Sequence, residues 1–213
     1  MTSIVQLAPW HRRFPGLVAG SVYALESSAR IAAACTLSAA GLDVHVDVMA
    51  ESEGLPSGVS LSELRDIAAI VHRSRIGVHL IGSAEFVERT LPEILPLRPA
   101  TMFLPWAAFT DERAQAIRAV GSAAWIALWN EWDGFADPHW PAPPDGVLVM
   151  LIKPGTRDRC SLGRLQIVAT CSAEMRVAVD GGITEDVAPQ CVTAGVESMV
   201  VGRALLISKE STT

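Results

Sequence analysis

A seven-residue run from Asp43 to Met49 carries an imidazole and a carboxylate inside an otherwise apolar segment. The run alternates as a buried β-strand does, with valines at positions 44, 46 and 48. Residues two apart on a strand project from the same face, so His45 and Asp47 lie side by side. Burying such a pair is costly unless a hydrogen bond, an opposite charge or a metal ion completes it. The run therefore predicts a site whose other members come from elsewhere in the chain.

Two further polar residues fall in similar apolar runs: His79 in the run over 76–81, and Asp180 at the end of the run over 176–180. Taken singly, each has a simpler interpretation. A histidine on a strand is more often a hydrogen-bonded core residue, and Asp180 could cap a turn before two glycines. Together with His45 and Asp47 they offer two imidazoles and two carboxylates. This donor set suits a divalent cation such as zinc, iron, manganese or cobalt.

The elements that must position these residues are eight short apolar runs of strand character. Successive runs begin roughly 22 to 33 residues apart, which leaves room for a helix and two turns in each interval. The predicted strands are Leu17–Tyr23, Val44–Met49, Ile76–Ile81, Thr101–Leu104, Ala123–Leu128, Gly146–Ile152, Arg176–Asp180 and Ser198–Gly202.

Several intervals have helical patterns. The segment Ser27–Ala40 ends at Gly41, and Ser60-Leu61-Ser62-Glu63 resembles a capping box ahead of an apolar stripe. Helices are also predicted over 84–91, 111–120 and 185–194. The interval 130–144 contains four prolines between positions 138 and 144, which predicts a loop there.

Eight strand–helix units with nearly continuous apolar strands predict an α/β fold, a single (β/α)8 TIM barrel. It would be one domain over residues 1–213, with a lead-in over 1–16 and a tail over 207–213. Catalytic groups of such barrels lie at the C-terminal ends of the strands, where the predicted polar residues also fall.

A second set of residues points to a phosphate. Gly181 and Gly182 follow the seventh run, and Gly202 and Arg203 follow the eighth. Loops after the last two strands of a barrel commonly bind phosphate through glycine amides. The alternative is that these glycines only form tight turns. The metal-like cluster in the same barrel favours phosphate.

Composition excludes several classes of function. The formal net charge is −6 and no basic tract stands out, which argues against a nucleic-acid partner. No stretch of about twenty apolar residues predicts a membrane span. The N-terminus lacks a signal-peptide pattern, so a cytoplasmic location and reduced cysteines are predicted.

Five short motifs occur in order along the chain: His45-Val46-Asp47-Val48-Met49, Val78-His79-Leu80, Val147-Leu148-Val149-Met150 with Pro154-Gly155, Val179-Asp180-Gly181-Gly182-Ile183 and Val200-Val201-Gly202. With these motifs, the sequence from about Val18 to Leu206 resembles a divergent member of the ribulose-phosphate 3-epimerase family. Ser21 also falls where the family keeps a serine.

The resemblance implies a ribulose-phosphate-binding barrel in which a divalent metal is held by His45, Asp47, His79 and Asp180. It also implies that Asp47 and Asp180 exchange a proton with C3 of a ketose phosphate, so that the enzyme is an epimerase. A small sugar phosphate and a homo-oligomer are the implied partners. The substrate-binding residues would be Ser21, Met49, Met150, Gly155, Gly181, Gly182, Gly202 and Arg203.

The surrounding residues depart from the family pattern. Ala50-Glu51 replaces Asp-Gly, Leu104-Pro105-Trp106 lacks a histidine, and Lys153 replaces an asparagine. A glycine-rich loop becomes Gly155-Thr156-Arg157-Asp158-Arg159, and Arg203 replaces a serine. Arg157, Arg159 or Arg203 could take over phosphate binding through a planar guanidinium. Two alternatives therefore stay open: a lyase or aldolase on a related sugar phosphate, and a non-catalytic ligand-binding barrel.

Overall fold

A computed structural model describes residues 4–135, 137–156 and 158–209 of the chain. Three parts of the sequence predictions fall outside the described residues: Arg157, residues 1–3 of the lead-in and residues 210–213 of the tail. Within the described ranges the chain forms a strand-and-helix barrel with a short ribbon outside it.

Eight parallel strands close on themselves, which confirms the predicted (β/α)8 barrel. Neighbours in the chain pair in order, and the last barrel strand returns to the first. Each predicted run becomes a barrel strand. The largest changes of boundary are in the first run, which becomes Val18–Ser21 rather than Leu17–Tyr23, and in the sixth, which ends at Met150 rather than Ile152. In chain order the strands are β1 (Ile4–Leu7), β2 (Val18–Ser21), β3 (Asp43–Met49), β4 (Ile76–Ile81), β5 (Thr101–Pro105), β6 (Ala123–Leu128), β7 (Gly146–Met150), β8 (Val177–Asp180), β9 (Ser198–Val201) and β10 (Leu206–Lys209).

Helices occupy most intervals between the barrel strands. They are α1 (Ser27–Ala39), α2 (Leu61–Ile70), α3 (Ala84–Ile94), α4 (Asp111–Ala119), α5 (Leu165–Ser172) and α6 (Ala188–Thr193). The predicted capping box is present: the Glu63 amide donates to Ser60 Oγ, and the Ser60 amide donates to the Glu63 carboxylate. The helix predicted over 185–194 begins only at Ala188, because residues 184–187 form a turn ahead of Pro189.

The loop predicted over 130–144 contains no helix among its described residues. The sequence analysis did not predict α5, which spans eight residues after β7. Within the described part of the chain, no helix combines the length and the apolar character needed to cross a membrane.

The barrel sheet has an apolar outer face and a divided inner face. Outward-facing valines such as Val44 and Val46 pack in the layer shared with the helices. On β5, β6 and β7 the inner face is also apolar, with Phe103, Trp125 and Leu148 in one cluster. The inner faces of β3, β4 and β8 carry the predicted metal-binding residues instead. This division leaves one polar region inside the barrel.

The two ends of the described chain meet outside the barrel. β1 and β10 pair antiparallel, from Ile4 opposite Lys209 to Leu7 opposite Leu206. β1 also packs against α1. Parts of the predicted lead-in and tail therefore form a two-stranded ribbon that adjoins the last barrel strand.

Candidate functional site

The four side chains predicted to form a metal centre meet inside the barrel. His45 and Asp47 lie on β3, His79 on β4 and Asp180 at the end of β8. One potential ligand atom from each lies within 4.8 Å of the others. β9 and β2 separate β8 from β3, so closure of the barrel is what brings Asp180 to the other three.

Short contacts tie these four side chains together. His45 Nε2 lies 3.1 Å from Asp47 Oδ1 and 4.0 Å from Asp180 Oδ2. His79 Nδ1 lies 3.3 Å from Asp47 Oδ1 and 3.9 Å from Asp180 Oδ2. Both histidines are 2% exposed, whereas Asp180 keeps 15% of its side chain accessible. The nitrogen atoms thus lie between two carboxylates, of which Asp180 is the more open.

Ser21, on the adjacent strand β2, fixes the orientation of Asp47. Its hydroxyl donates a hydrogen bond of 2.8 Å to Asp47 Oδ2, and both groups are buried. The parallel register places Ser21 opposite His45, two residues from Asp47 on the same face. Asp47 therefore has one oxygen directed to the histidines and the other held by the serine.

Burial and mutual charge shift the pKa values of the two carboxyl groups in opposite directions. Burial disfavours the charged form of Asp47, but the adjacent His45 and His79 overcome this and lower its pKa below the usual range. For Asp180, burial and the charge of Asp47 raise the pKa to about 7. The two histidines thus stabilise the ionised form of Asp47, whereas the negative charge of an ionised Asp180 lacks a sufficient positive partner.

The two histidines also respond differently. Burial opposes protonation of His45, yet the neighbouring Asp47 raises its pKa overall. Burial lowers the pKa of His79. Although His79 Nδ1 is near Asp47, the two groups are not aligned for a hydrogen bond, and this buried nitrogen has no such partner among the described residues.

These features fit a divalent cation. Donor atoms bound about 2.0–2.2 Å from one cation lie roughly 3–4 Å from each other. The contacts of 3.1, 3.3, 3.9 and 4.0 Å match that spacing. A cation would also satisfy the unpaired His79 nitrogen and neutralise the second carboxylate. His45, Asp47, His79 and Asp180 can therefore hold a metal ion together.

Phe103 is a site residue that the sequence did not indicate. It lies opposite His79 in the β4–β5 register, with its ring centroid 5.3 Å from that of His45 and 6.1 Å from that of His79. An aromatic wall on this side restricts how the imidazoles can turn. The position of Phe103 on the inward face of the fourth predicted strand is the sequence signal that could have identified it.

A cavity of about 900 Å³ opens above the four polar residues. Asp47 and Asp180 reach its surface, whereas the two histidines lie behind the lining. All eight residues predicted to bind substrate line it: Ser21, Met49, Met150, Gly155, Gly181, Gly182, Gly202 and Arg203. Lining residues without a predicted role include Thr184 and Asp186.

Two successive glycines form the turn after β8. Gly181 and Gly182 have φ angles of 110° and 67°, a region that L side chains rarely adopt. A Cβ at Gly182 would lie 2.7 Å from the backbone nitrogen of Cys160, and one at Gly181 would overlap Ile152. This turn therefore packs directly against the loop that follows β7, leaving backbone rather than side chains at the cavity edge.

The profile of the ribulose-phosphate 3-epimerase family matches residues 17–206. The chain belongs to this family. Membership confirms the resemblance carried by the strand-end motifs, and it places the barrel in a family of enzymes whose substrate is a sugar phosphate.

Solved structures share the fold of this epimerase-family barrel at low sequence identity. Phosphoribosyl anthranilate isomerase from Thermus thermophilus has a TM-score of 0.59 at 17% identity, covering 88% of each chain. Tryptophan synthase from Mycobacterium tuberculosis has a TM-score of 0.61 at 15% identity, covering 89% of this chain and 83% of that one. Orotidine 5′-phosphate decarboxylase from Pyrococcus horikoshii OT3 has a TM-score of 0.56 at 12% identity, covering 88% of this chain and 90% of that one. These likenesses show the fold alone.

The rim of the epimerase-family barrel carries several of the residues that depart from the family pattern. Arg159 and Arg203 line the cavity and are exposed. Glu51 lies beside a second cavity of about 450 Å³, which shares Tyr23 and Met49 with the first. The cavity above the metal-like cluster therefore adjoins a second, polar cleft at Met49.

Arg164, another residue that the sequence did not single out, supports the same rim. Its Nε donates to the Met150 carbonyl at 2.5 Å, and its guanidinium lies 4.5 Å from the centre of the Trp129 ring. A second bond of 3.3 Å reaches the Leu128 carbonyl. Arg164 thus joins the C-terminal ends of β6 and β7 and holds the backbone of Met150.

Proposed function

We propose that this protein is a divalent-metal-dependent 3-epimerase of a ketose phosphate, such as ribulose 5-phosphate or a related sugar phosphate. One observation carries the proposal: two carboxylates from strands far apart around the barrel meet two imidazoles at the base of a glycine-rimmed cavity. Membership of the epimerase family supports the same conclusion.

The reaction requires a proton to leave C3 on one face and another to return on the opposite face. We assign these transfers to Asp47 and Asp180, which are the two acidic groups of the cluster that line the cavity. One carboxylate removes the proton to give an enediolate, and the other, in its acid form, returns a proton with inversion. A divalent cation held by the four residues would stabilise the negative charge on the substrate oxygens.

The neighbouring residues have supporting roles in this proposal. Ser21 keeps Asp47 from rotating, because its hydroxyl holds Oδ2 at 2.8 Å. Met49 and Met150, which are 8% and 3% exposed, border the cavity with apolar surface. Such a surface excludes water from a reactive intermediate and limits the loss of its proton to solvent.

The substrate phosphate would bind at the glycine turns after β8 and β9. Gly181, Gly182 and Gly202 expose backbone at the cavity edge, and Arg203 adds a positive charge there. Gly155, on the loop after β7, lies across the same cavity. A phosphate here would leave the sugar carbons directed towards Asp47 and Asp180.

Three finer parts of the proposal rest on family membership and on the sequence. The cation is zinc, iron, manganese or cobalt, the protein is a homo-oligomer, and its location is cytoplasmic. Metal analysis of the purified protein and light scattering during gel filtration test the first two. Fractionation of cells that express the native gene tests the third.

Solvent exchange is the direct test of the reaction. In deuterium oxide, the metal-loaded protein should introduce deuterium at C3 of ribulose 5-phosphate and yield the C3 epimer. Apoprotein prepared with a chelator should lose this activity and recover it on addition of one equivalent of metal per chain. Cleavage of the carbon chain instead would support the lyase or aldolase alternative. A protein that binds no divalent metal would overturn the proposal.

A further inference from the structure

Residues Ile4–Arg13, here called the N-terminal brace, contact both loops that carry the predicted phosphate-binding glycines. Trp10 Nε1 donates to the Ala204 carbonyl at 2.9 Å, across 194 positions of sequence. The Ala8 amide donates to the Leu205 carbonyl at 2.8 Å. On the other loop, Arg13 lies 3.2 Å from Glu185. The brace is thus attached directly beside the cavity.

The turn that Trp10 holds is part of the cavity wall. Gly202, Arg203 and Ala204 line the cavity. The Gly202 carbonyl accepts the amides of Leu205 and Leu206 at 2.9 and 3.0 Å, which closes the turn on itself. These internal bonds set the shape of the turn, but its direction relative to the barrel depends on outside contacts. The Trp10 bond is such a contact.

Trp10 is well anchored for this purpose. It is 7% exposed and packs edge-to-face on Phe14, with ring centroids 6.0 Å apart. A buried indole N–H that lacks a partner is costly, so the bond to Ala204 restricts both groups. The ion pair of Arg13 and Glu185 is more than half exposed on both sides and contributes little by comparison.

We propose that Trp10 is a positioning residue for substrate binding. By holding the Ala204 carbonyl it directs the Gly202 amide and the Arg203 side chain towards the phosphate of the substrate. The inference rests on the proposed function, because it requires a phosphate at this turn. It makes substrate affinity depend on a segment that lies outside the barrel.

The test is Trp10→Phe in the metal-loaded full chain, which removes the N–H donor and keeps an aromatic ring. Titration calorimetry measures binding of inorganic phosphate and of ribulose 5-phosphate, and turnover gives KM and kcat. Loss of one hydrogen bond predicts an affinity about five- to tenfold lower for both ligands. KM should rise by the same factor, while kcat and metal affinity stay within about twofold.

Trp140→Phe is the matched control, since it makes the same chemical change in the loop between β6 and β7 and should leave phosphate affinity unchanged. If Trp10→Phe does not fold, Ala8→Pro is the second variant, because it removes the Ala8 amide that donates to the Leu205 carbonyl. The φ angle of Ala8 is −61°, which already suits proline. The expected weakening of phosphate binding is again severalfold.

A double variant separates positioning from general destabilisation. If Trp10 acts through the turn, Trp10→Phe should weaken phosphate binding less in an Arg203→Ala background than in the wild type. Additive losses, or equal losses of metal and phosphate affinity, would overturn the inference. So would wild-type phosphate affinity in Trp10→Phe. A wild-type protein that binds metal but neither ligand would overturn the proposed substrate as well.

Discussion

The floor and the rim of the cavity are built in different ways. The floor, formed by His45, Asp47, His79 and Asp180, consists of largely buried groups within hydrogen-bond or ion-pair distance of one another. The rim arginines, Arg159 and Arg203, are exposed. Each floor residue belongs to a family motif, whereas the rim combines the motif glycines with Arg159 and Arg203, which depart from the family pattern.

The difference has a physical reason. Each floor residue contacts at least two others, so replacing one leaves buried polar atoms without partners, which costs about 1–3 kcal/mol or more. An exposed arginine can be exchanged at little cost to stability. The barrel can therefore keep its chemistry while its substrate preference changes, and variants of the two regions should differ in kind.

The largest effect is expected from Asp180→Asn on the floor. The amide cannot transfer the proton and supplies a weaker metal ligand, so kcat should fall by about 10²- to 10⁴-fold. Asp158→Asn on the rim is the matched control, because Asp158 lines the same cavity and, among the described residues, its carboxylate accepts a hydrogen bond from Thr156. The rate of C3 deuterium exchange should be measured for both variants. Equal losses of kcat in the two would contradict the difference between floor and rim.

Metal affinity should depend strongly on pH. Asp180 has a pKa of about 7 without metal, and Asp47 raises the pKa of His45. A cation must displace the proton that each group holds, so its apparent affinity should fall about tenfold per pH unit for each proton displaced, and about a hundredfold per unit where both groups are protonated. Calorimetric titration with Zn²⁺ between pH 5 and 8 measures this. An affinity independent of pH would show that the floor does not bind the metal.

Ser21→Ala tests how far the floor depends on orientation. The change leaves Asp47 Oδ2 without its 2.8 Å bond, and bonds to charged groups are worth about 1.5–3 kcal/mol. We expect kcat to fall about tenfold with the metal still bound. Ser122→Ala is the control, because that buried hydroxyl has no hydrogen-bond partner among the described residues. Full activity in Ser21→Ala would show that Ser21 is not needed to orient Asp47.

The smallest effect is expected on the rim. Arg203→Gln removes one charge near the proposed phosphate and should raise KM for ribulose 5-phosphate about three- to tenfold, with kcat and metal content unchanged. Arg65→Gln on α2 is the control, since Arg65 is exposed and pairs with Glu93 on the protein surface. A loss of kcat in Arg203→Gln would contradict the separation of floor and rim.

Much of the fold was predictable because strand signals are local. Valines at alternating positions mark β3, and the predicted boundaries of β4 and β6 are those observed. The start of α6 was wrong by three residues, because Glu185 and Asp186 are compatible with a helix in sequence but belong to a turn. The ribbon of β1 and β10 had no predicted counterpart, since its partners lie at opposite ends of the chain.

The sequence by itself determined the donor types of the candidate site and their places on the strands, because side-chain alternation is a property of a few neighbouring residues. Only the tertiary structure decided which groups touch. Closure of the barrel brings Asp180 to Asp47, the β4–β5 register puts Phe103 against both imidazoles, and Trp10 reaches Ala204. Such contacts depend on strand register and barrel closure, which no local pattern encodes.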